Sequence, residues 1–305
     1  MKAPVVVVGA GRSGTNLLAS TFEQESPRFR NLYENRYIWT YGQRDRSADV
    51  RDVTEATERV AGYIRRHFAR MAYGPDTILI DKTPSNALRI PFVAAVFPDV
   101  MIINIVRDGR DNIVSRTRQW EHRLKSEASE FVPGRTASGK ARIVFDRLRH
   151  LRRLSSRGNL PPDRLPAVVA DYVPAVAAHV LTGRPRRYAE RVPGLPHILK
   201  TQRLDVAAAV QWREVVMAAV TEGRRLGPAR YLELRYEDLL SAPAATWSRL
   251  LAFLKVEDTG GGAAFLADVL RPSAHAAWRQ GPDAARIAAL EAHMRPTLEY
   301  LGYEW

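Results

Sequence analysis

Four consecutive valines, Val5 to Val8, run straight into Gly9-Ala10-Gly11-Arg12-Ser13-Gly14-Thr15-Asn16. A β-branched apolar run stopped by glycine reads as a parallel strand with both faces buried. The residues from Gly14 onward, TNLLASTFEQ, read as a helix. The chain therefore opens strand, glycine-rich turn, helix. A strand of that kind belongs inside a sheet covered by helices.

The alternation continues. Helical patterns span Asp52 to Met71 and Asn86 to Phe97, the latter stopped by Pro98, and a short strand lies at Thr77 to Ile80. VMIINIV, Val100 to Val106, is a second buried strand, and a helix follows from Asp111 to Trp120. Later come a long helix (Leu204 to Leu226), a strand (Ala229 to Tyr236), a helix (Ala244 to Leu254), a flexible turn at Gly260 to Gly262 and a closing helix (Ile287 to Leu301). This order predicts one α/β domain over 1–305: a P-loop-like, open, mostly parallel sheet flanked by helices. Between about 121 and 205 the strand signal fades, which predicts a helical, basic insertion.

Charge points to the kind of partner. Lys and Arg number 46 against 33 Asp and Glu, a net +13. Residues 107–157 alone hold 14 basic and 6 acidic side chains. An anionic partner is expected, such as a nucleotide, an acidic glycan or a nucleic acid. The sequence has no cysteine, which removes disulfides, zinc-thiolate sites and a Cys nucleophile, and fits a reducing compartment. The seven histidines, His67, His122, His150, His179, His197, His275 and His293, show no metal-binding spacing, so no metal is expected. The apolar stretch Leu165 to Leu181 contains Pro166, Asp171, Pro174 and His179 and is too polar to span a bilayer. A cytoplasmic protein without a membrane span is expected.

The loop after the first strand is suited to an oxyanion. Successive backbone N–H groups at a helix N-terminus attract phosphate-like groups, and Arg12, Ser13 and Thr15 can add side-chain donors. Gly9 and Gly14 match the glycine spacing of G-x-x-x-x-G-K-[ST], but Thr15 stands at the lysine and Asn16 at the metal-binding hydroxyl. Gly9, Gly11 and Gly14 also match G-x-G-x-x-G, yet Glu34, the acidic residue near the right offset, follows no clear second strand. A second basic site follows the strand ending at Val106. Arg107 would point into the crevice at the sheet edge, and Ser115, two helical turns later, could reach the same anion.

GRSGTNLL, IVRDGRDNIVS and LELRYEDLL, in that order, resemble the PAPS-dependent sulfotransferases (PAPS is 3′-phosphoadenosine 5′-phosphosulfate) over most of Pro4 to Leu240. The variant resembled is the bacterial type with a Glu base, similar to protein-tyrosine and glycan sulfotransferases. The resemblance implies PAPS as sulfuryl donor and PAP, its 3′,5′-bisphosphate, as product. It implies that Arg12, Ser13, Gly14, Thr15 and Asn16 bind the 5′-phosphosulfate and that Arg107 and Ser115 bind the 3′-phosphate. Arg118 would add to the 3′-phosphate site, Tyr236 would lie near the adenosine, and Ser273 would be a further donor contact.

Relatives with a His base carry Lys-Thr-His, where this chain has Lys82-Thr83-Pro84. The resemblance therefore assigns the base to Glu34, held ionised and oriented by Arg36, with Lys82 at the bridging oxygen of the donor and Arg12 beside it as a further catalytic group. The aromatic run Tyr37 to Tyr41 suits an acceptor pocket and core packing equally. The acceptor is expected to be a hydroxyl or amine of a small molecule, glycan or peptide, with no specific nucleic acid partner. Oligomeric state stays open between monomer and homodimer. Two other functions remain at this stage: a P-loop-like nucleotide or small-molecule kinase, and a non-catalytic polyanion binder using the basic middle.

Overall fold

The computed structural model describes residues 3–130, 160–170, 190–270, 276–279 and 281–305. Much of the expected basic insertion, and Ser273, lie outside the described residues.

Five strands form one sheet: β1 (Val5–Val8), β2 (Phe29–Asn31), β3 (Ile78–Lys82), β4 (Met101–Val106) and β5 (Tyr231–Arg235), in the order β2-β3-β1-β4-β5. Every neighbouring pair is parallel. The valine run is the central strand. Val6 and Val8 enter the core on one face, and Val5 and Val7 the core on the other, so no position can be polar.

The helices are α1 (Thr15–Glu25), α2 (Arg36–Trp39), α3 (Glu58–Met71), α4 (Ile90–Val96), α5 (Gly109–Glu130), α6 (Leu195–Thr201), α7 (Leu204–Arg225), α8 (Tyr236–Ser241), α9 (Pro243–Leu254), α10 (Gly261–Val269), α11 (Gly281–Ala288) and α12 (Glu291–Tyr300). One face of the sheet is covered by α3, α4 and α7 through Ile64, Phe68, Phe92, Val93, Trp212 and Val216. The other is covered by α1, α9 and α10 through Leu18, Phe22, Trp247, Leu250 and Leu266. Phe22 sits against both Phe29 and Trp247 with ring centroids 4.9 Å apart. The aromatic run resolves as core: Tyr37, Ile38 and Trp39 are buried, and Trp39 packs against Phe68, Phe92 and Phe97.

Several elements depart from expectation, each for a local reason. The helix expected from Asp52 is first a 3-10 turn, Val53–Glu55, capped by the Asp52 carboxylate, and only then α3. The segment expected as a helix from Asn86 starts as a 3-10 turn, Pro84–Arg89, before α4 with Pro91 in its first turn. Strand β3 runs two residues further than Ile80 because Asp81 and Lys82 pair with Val6 and Val7. Gly260–Gly262 is no flexible turn: Gly260 caps α10, and a Cβ at Gly261 would lie 2.3 Å from the Gln24 carbonyl. The closing helix is two, α11 and α12, and β2 and α2 were not expected.

Chain order places the chemistry. After β3 the chain crosses β1 to reach β4, so the strand order reverses at β1. Open parallel sheets bind ligands in the crevice at the carboxyl ends of the strands beside such a reversal.

Candidate active site

The five strands end along the same edge. β2 leads to Tyr33 and Glu34, β3 ends on Lys82, β1 opens into the glycine loop, β4 leads to Arg107, and β5 leads to Tyr236. The site residues scattered through the sequence are the residues that follow parallel strands.

The loop is shaped by close packing. Gly9 has φ 146°, and a Cβ there would lie 2.5 Å from the Ile105 carbonyl oxygen of β4. Gly14 has φ 98°, and a Cβ there would lie 2.7 Å from the Tyr236 ring. Between them Arg12 holds φ 74°, a left-handed conformation that costs a non-glycine residue free energy. Thr15 and Asn16 form the first turn of α1, whose backbone N–H groups have no partner inside the helix. Thr15 is buried and Asn16 exposed.

The start of α5 lies against this loop. Arg107 Nη1 donates to the Arg12 carbonyl at 3.0 Å, and Arg12 Nε donates to Ser115 Oγ at 3.1 Å. The Arg107 guanidinium stacks 4.7 Å above the Tyr236 ring. Asn112 Nδ2 donates to the Gly11 carbonyl at 2.9 Å and to the buried Ser13 Oγ at 3.0 Å. So Arg12, Ser13, Arg107, Ser115 and Tyr236, expected as parts of two anion sites, meet in one crevice. Arg118, three residues beyond Ser115 on α5, pairs its exposed guanidinium with Asp283 of α11.

Beside the loop, Lys82 Nζ donates to Glu34 Oε1 at 2.9 Å. The lysine side chain is 6% exposed and the carboxylate 59%, so a nearly buried ammonium meets a carboxylate open to the crevice. Tyr33, at φ 53°, turns the chain before Glu34. Asn35, just after it, is pinned by its N–H to Thr83 Oγ1 at 3.0 Å and by its amide to Asp81 at 2.6 Å. Asp81 is fully buried and also accepts from Thr83, Trp39 and Asn86. Burial pushes its carboxyl up to about 6, against the pull of those hydrogen bonds and of Lys82. The expected partner of Glu34 is corrected: Arg36 pairs instead with Asp49 at 3.0 Å, because α2 carries its side chain away toward the 43–52 loop.

Three buried residues at the loop went unforeseen, Asn112 among them. Glu190 accepts from the Gly11 N–H at 2.7 Å, and Arg116 donates to the Gly11 carbonyl at 2.7 Å while pairing with Glu190 at 3.1 Å. The Gly11 N–H is thus committed to the protein itself. Asn112 and Arg116 lie four residues apart on α5, on either side of Ser115 in the chain, and that period was the available signal. Glu190 lies 179 residues from Gly11 and had none. Among the described residues, no group of three His, Cys, Asp or Glu side chains is placed to hold a metal ion, and no helix is long and apolar enough to cross a membrane.

A central strand feeding a glycine loop onto a helix N-terminus, faced by an arginine from the next strand, is a P-loop-like arrangement. The chain belongs to the sulfotransferase family: the family model described as "Sulfotransferase family" matches residues 4–169 and 194–260. Among solved structures, it is similar to the sulfotransferase domain of the Synechococcus PCC 7002 olefin synthase, at 16% identity and a TM-score of 0.52 over 100% of this chain and 97% of that one. It is similar to the sulfotransferase domain of the curacin biosynthetic pathway at 16% identity and a TM-score of 0.50, over 100% and 99% of the two chains. Those likenesses concern the fold. No curated protein sequence matches the chain.

Proposed function

We propose that this sulfotransferase uses PAPS and transfers its sulfuryl group to a hydroxyl or amine, with Glu34 as the base. When bound, PAPS supplies the sulfuryl group and leaves as PAP. Arg12, Ser13, Gly14, Thr15 and Asn16 hold the phosphosulfate end through side chains and first-turn N–H groups. Arg107 and Ser115 hold the 3′-phosphate, which displaces the internal Arg12–Ser115 bond. Glu34 takes the acceptor's proton as the acceptor oxygen or nitrogen bonds to sulfur. The bond from sulfur to the bridging oxygen breaks, and Lys82 meets the negative charge left on that oxygen.

The observation that carries this reading is the Lys82–Glu34 contact of 2.9 Å beside the loop. Val7 and Lys82 are register partners, so the ammonium lies alongside the strand that delivers the glycine turn. One carboxylate and one ammonium, held together at the mouth of an anion loop, are the base and the leaving-group cation that the reaction requires.

Glu34→Ala is expected to lose turnover by at least about 10²-fold while still binding PAP. Unchanged turnover removes Glu34 from the mechanism. PAP should raise the melting temperature and ATP with magnesium should not; the reverse result would favour a kinase.

A further inference from the structure

A second cluster of charge gathers around Asp49, in the loop toward which α2 carries Arg36. Asp49 is fully buried and receives Arg36 Nη2 at 3.0 Å, Arg191 Nη2 at 3.1 Å and the Arg191 backbone N–H at 2.9 Å. Arg89 and Arg51 complete the group, and Arg51 is paired with Glu55 at 3.2 Å. Four guanidinium groups therefore face two buried or half-buried carboxylates, Asp49 and Glu55, with the exposed Asp45 acting on Arg191 from outside.

The excess charge is buried. Arg89 is 0% exposed. Its Nη2 donates to Ser85 Oγ at 2.8 Å, but its Nε and Nη1, and Nη2 of Arg51, meet no acceptor among the described residues. Burial, and then the charges of Arg36, Arg51 and Arg191, push the Arg89 guanidinium down to about 10 against the support of Asp49. Buried guanidinium donors without acceptors are costly, and so is an uncompensated buried charge. An anion supplied from outside would relieve both costs, and arginine forks suit carboxylate and phosphate oxygens.

The cluster reaches the surface at two of its members: the Arg36 and Arg191 side chains are 21% and 26% exposed, while Arg89 is buried. It also has a suitable position. Arg36 comes two residues after Glu34, and Arg89 ends the turn that starts just after Lys82 and Thr83. The strand ends that carry the proposed base and the leaving-group cation carry this cluster as well.

We propose that Arg36, Arg89 and Arg191 form an anion subsite for the acceptor, so that the molecule sulfated at Glu34 carries a carboxylate or phosphate group of its own. The proposal rests on the placement of Glu34 as base given above. An acceptor anchored by such a group would have its hydroxyl or amine within the reach of Glu34, two residues before Arg36 in the chain.

The test uses the full chain saturated with PAP, so that the donor loop is filled. Sodium phosphate is titrated against sodium chloride at equal ionic strength, and the melting temperature is followed. The wild type should show a saturable rise. Arg36→Gln and Arg191→Gln should each weaken the phosphate effect by at least about tenfold, and Lys82→Ala should retain it. No saturable rise in the wild type overturns the proposal. So does a rise that survives both arginine variants and vanishes in Lys82→Ala, since the anion would then occupy the transfer position. If the arginine variants do not fold, modification of the wild type by phenylglyoxal decides. Phosphate should protect Arg36 and Arg191, as read by mass spectrometry, and unprotected arginines overturn the subsite. Failure of PAP to stabilise the chain would instead sink the donor reading, and the subsite is then decided by the phenylglyoxal protection of Arg36 and Arg191 alone.

Discussion

Asp81 shows how much one side chain at this site has to hold. Its two oxygens take four donors: Asn35 and Thr83 on one, Trp39 and Asn86 on the other. It thereby fixes the turn that presents Glu34 and the strand end that presents Lys82. The carboxyl is raised to about 6 in the folded chain from 3.8, chiefly by burial. The folded state thus binds this proton more tightly than the unfolded state. The stabilisation it gives is complete below the unfolded value and is lost as pH rises through about 6. In Asp81→Asn one amide nitrogen must face two donors, so the variant should be less stable by about 1–3 kcal/mol. The stability gap between wild type and variant, from urea unfolding, should narrow as pH rises from about 4 to about 6.5. A gap that stays constant or widens would show that Asp81 does not titrate in that window.

At the scale of elements, the loop depends on two helices' worth of support, of which the sequence shows half. β1, α1 and β4 were legible because a strand covered on both faces must be apolar at every position, and few other segments are. Arg107 and Ser115 were legible because two helical turns separate them after a strand. β2 was not, because Phe29–Asn31 includes the half-buried Arg30 and becomes a strand only by pairing with β3. The pairing of Arg118 with Asp283 was not legible, because Asp283 comes from α11, whose position no local pattern reveals. Glu190 was invisible for the same reason, and it is the residue that fixes the peptide of Gly11. Glu190→Ala would leave the Gly11 N–H without its acceptor and the buried Arg116 without its carboxylate. The loss should be about 3–5 kcal/mol of stability in denaturant unfolding. Glu190→Gln keeps an acceptor for Gly11 and should lose less. Equal losses in the two variants would mean that the hydrogen bond to the loop contributes nothing.

Over the whole molecule, α1 links the glycine-loop crevice to the far end of the sheet. Its N-terminus forms the loop, and its C-terminal Glu25 is buried against the last third of the chain. That carboxylate accepts from Trp247 Nε1 at 2.8 Å, from the Thr259 N–H at 2.6 Å and from the Gly262 N–H at 2.8 Å. Burial opposes its charge, but these hydrogen bonds outweigh burial and hold its carboxyl below the usual value, so its stabilisation is present near neutrality and lost in acid. Glu25→Ala strands two buried donors, Trp247 Nε1 and the Gly262 N–H, each costing about 1–3 kcal/mol when left unmade, and removes the acceptor of the exposed Thr259, so the variant should unfold at clearly lower urea. The PAP affinity of the folded fraction should nonetheless stay within about threefold of wild type, because the loop is held from the other side by Arg107, Asn112, Arg116 and Glu190. Calorimetry with PAP on the two proteins, below the variant's unfolding midpoint, makes the comparison. A larger loss of affinity would show that α1 passes strain along its length, and that the donor loop depends on the whole helix as well as on the face of α5 beside it.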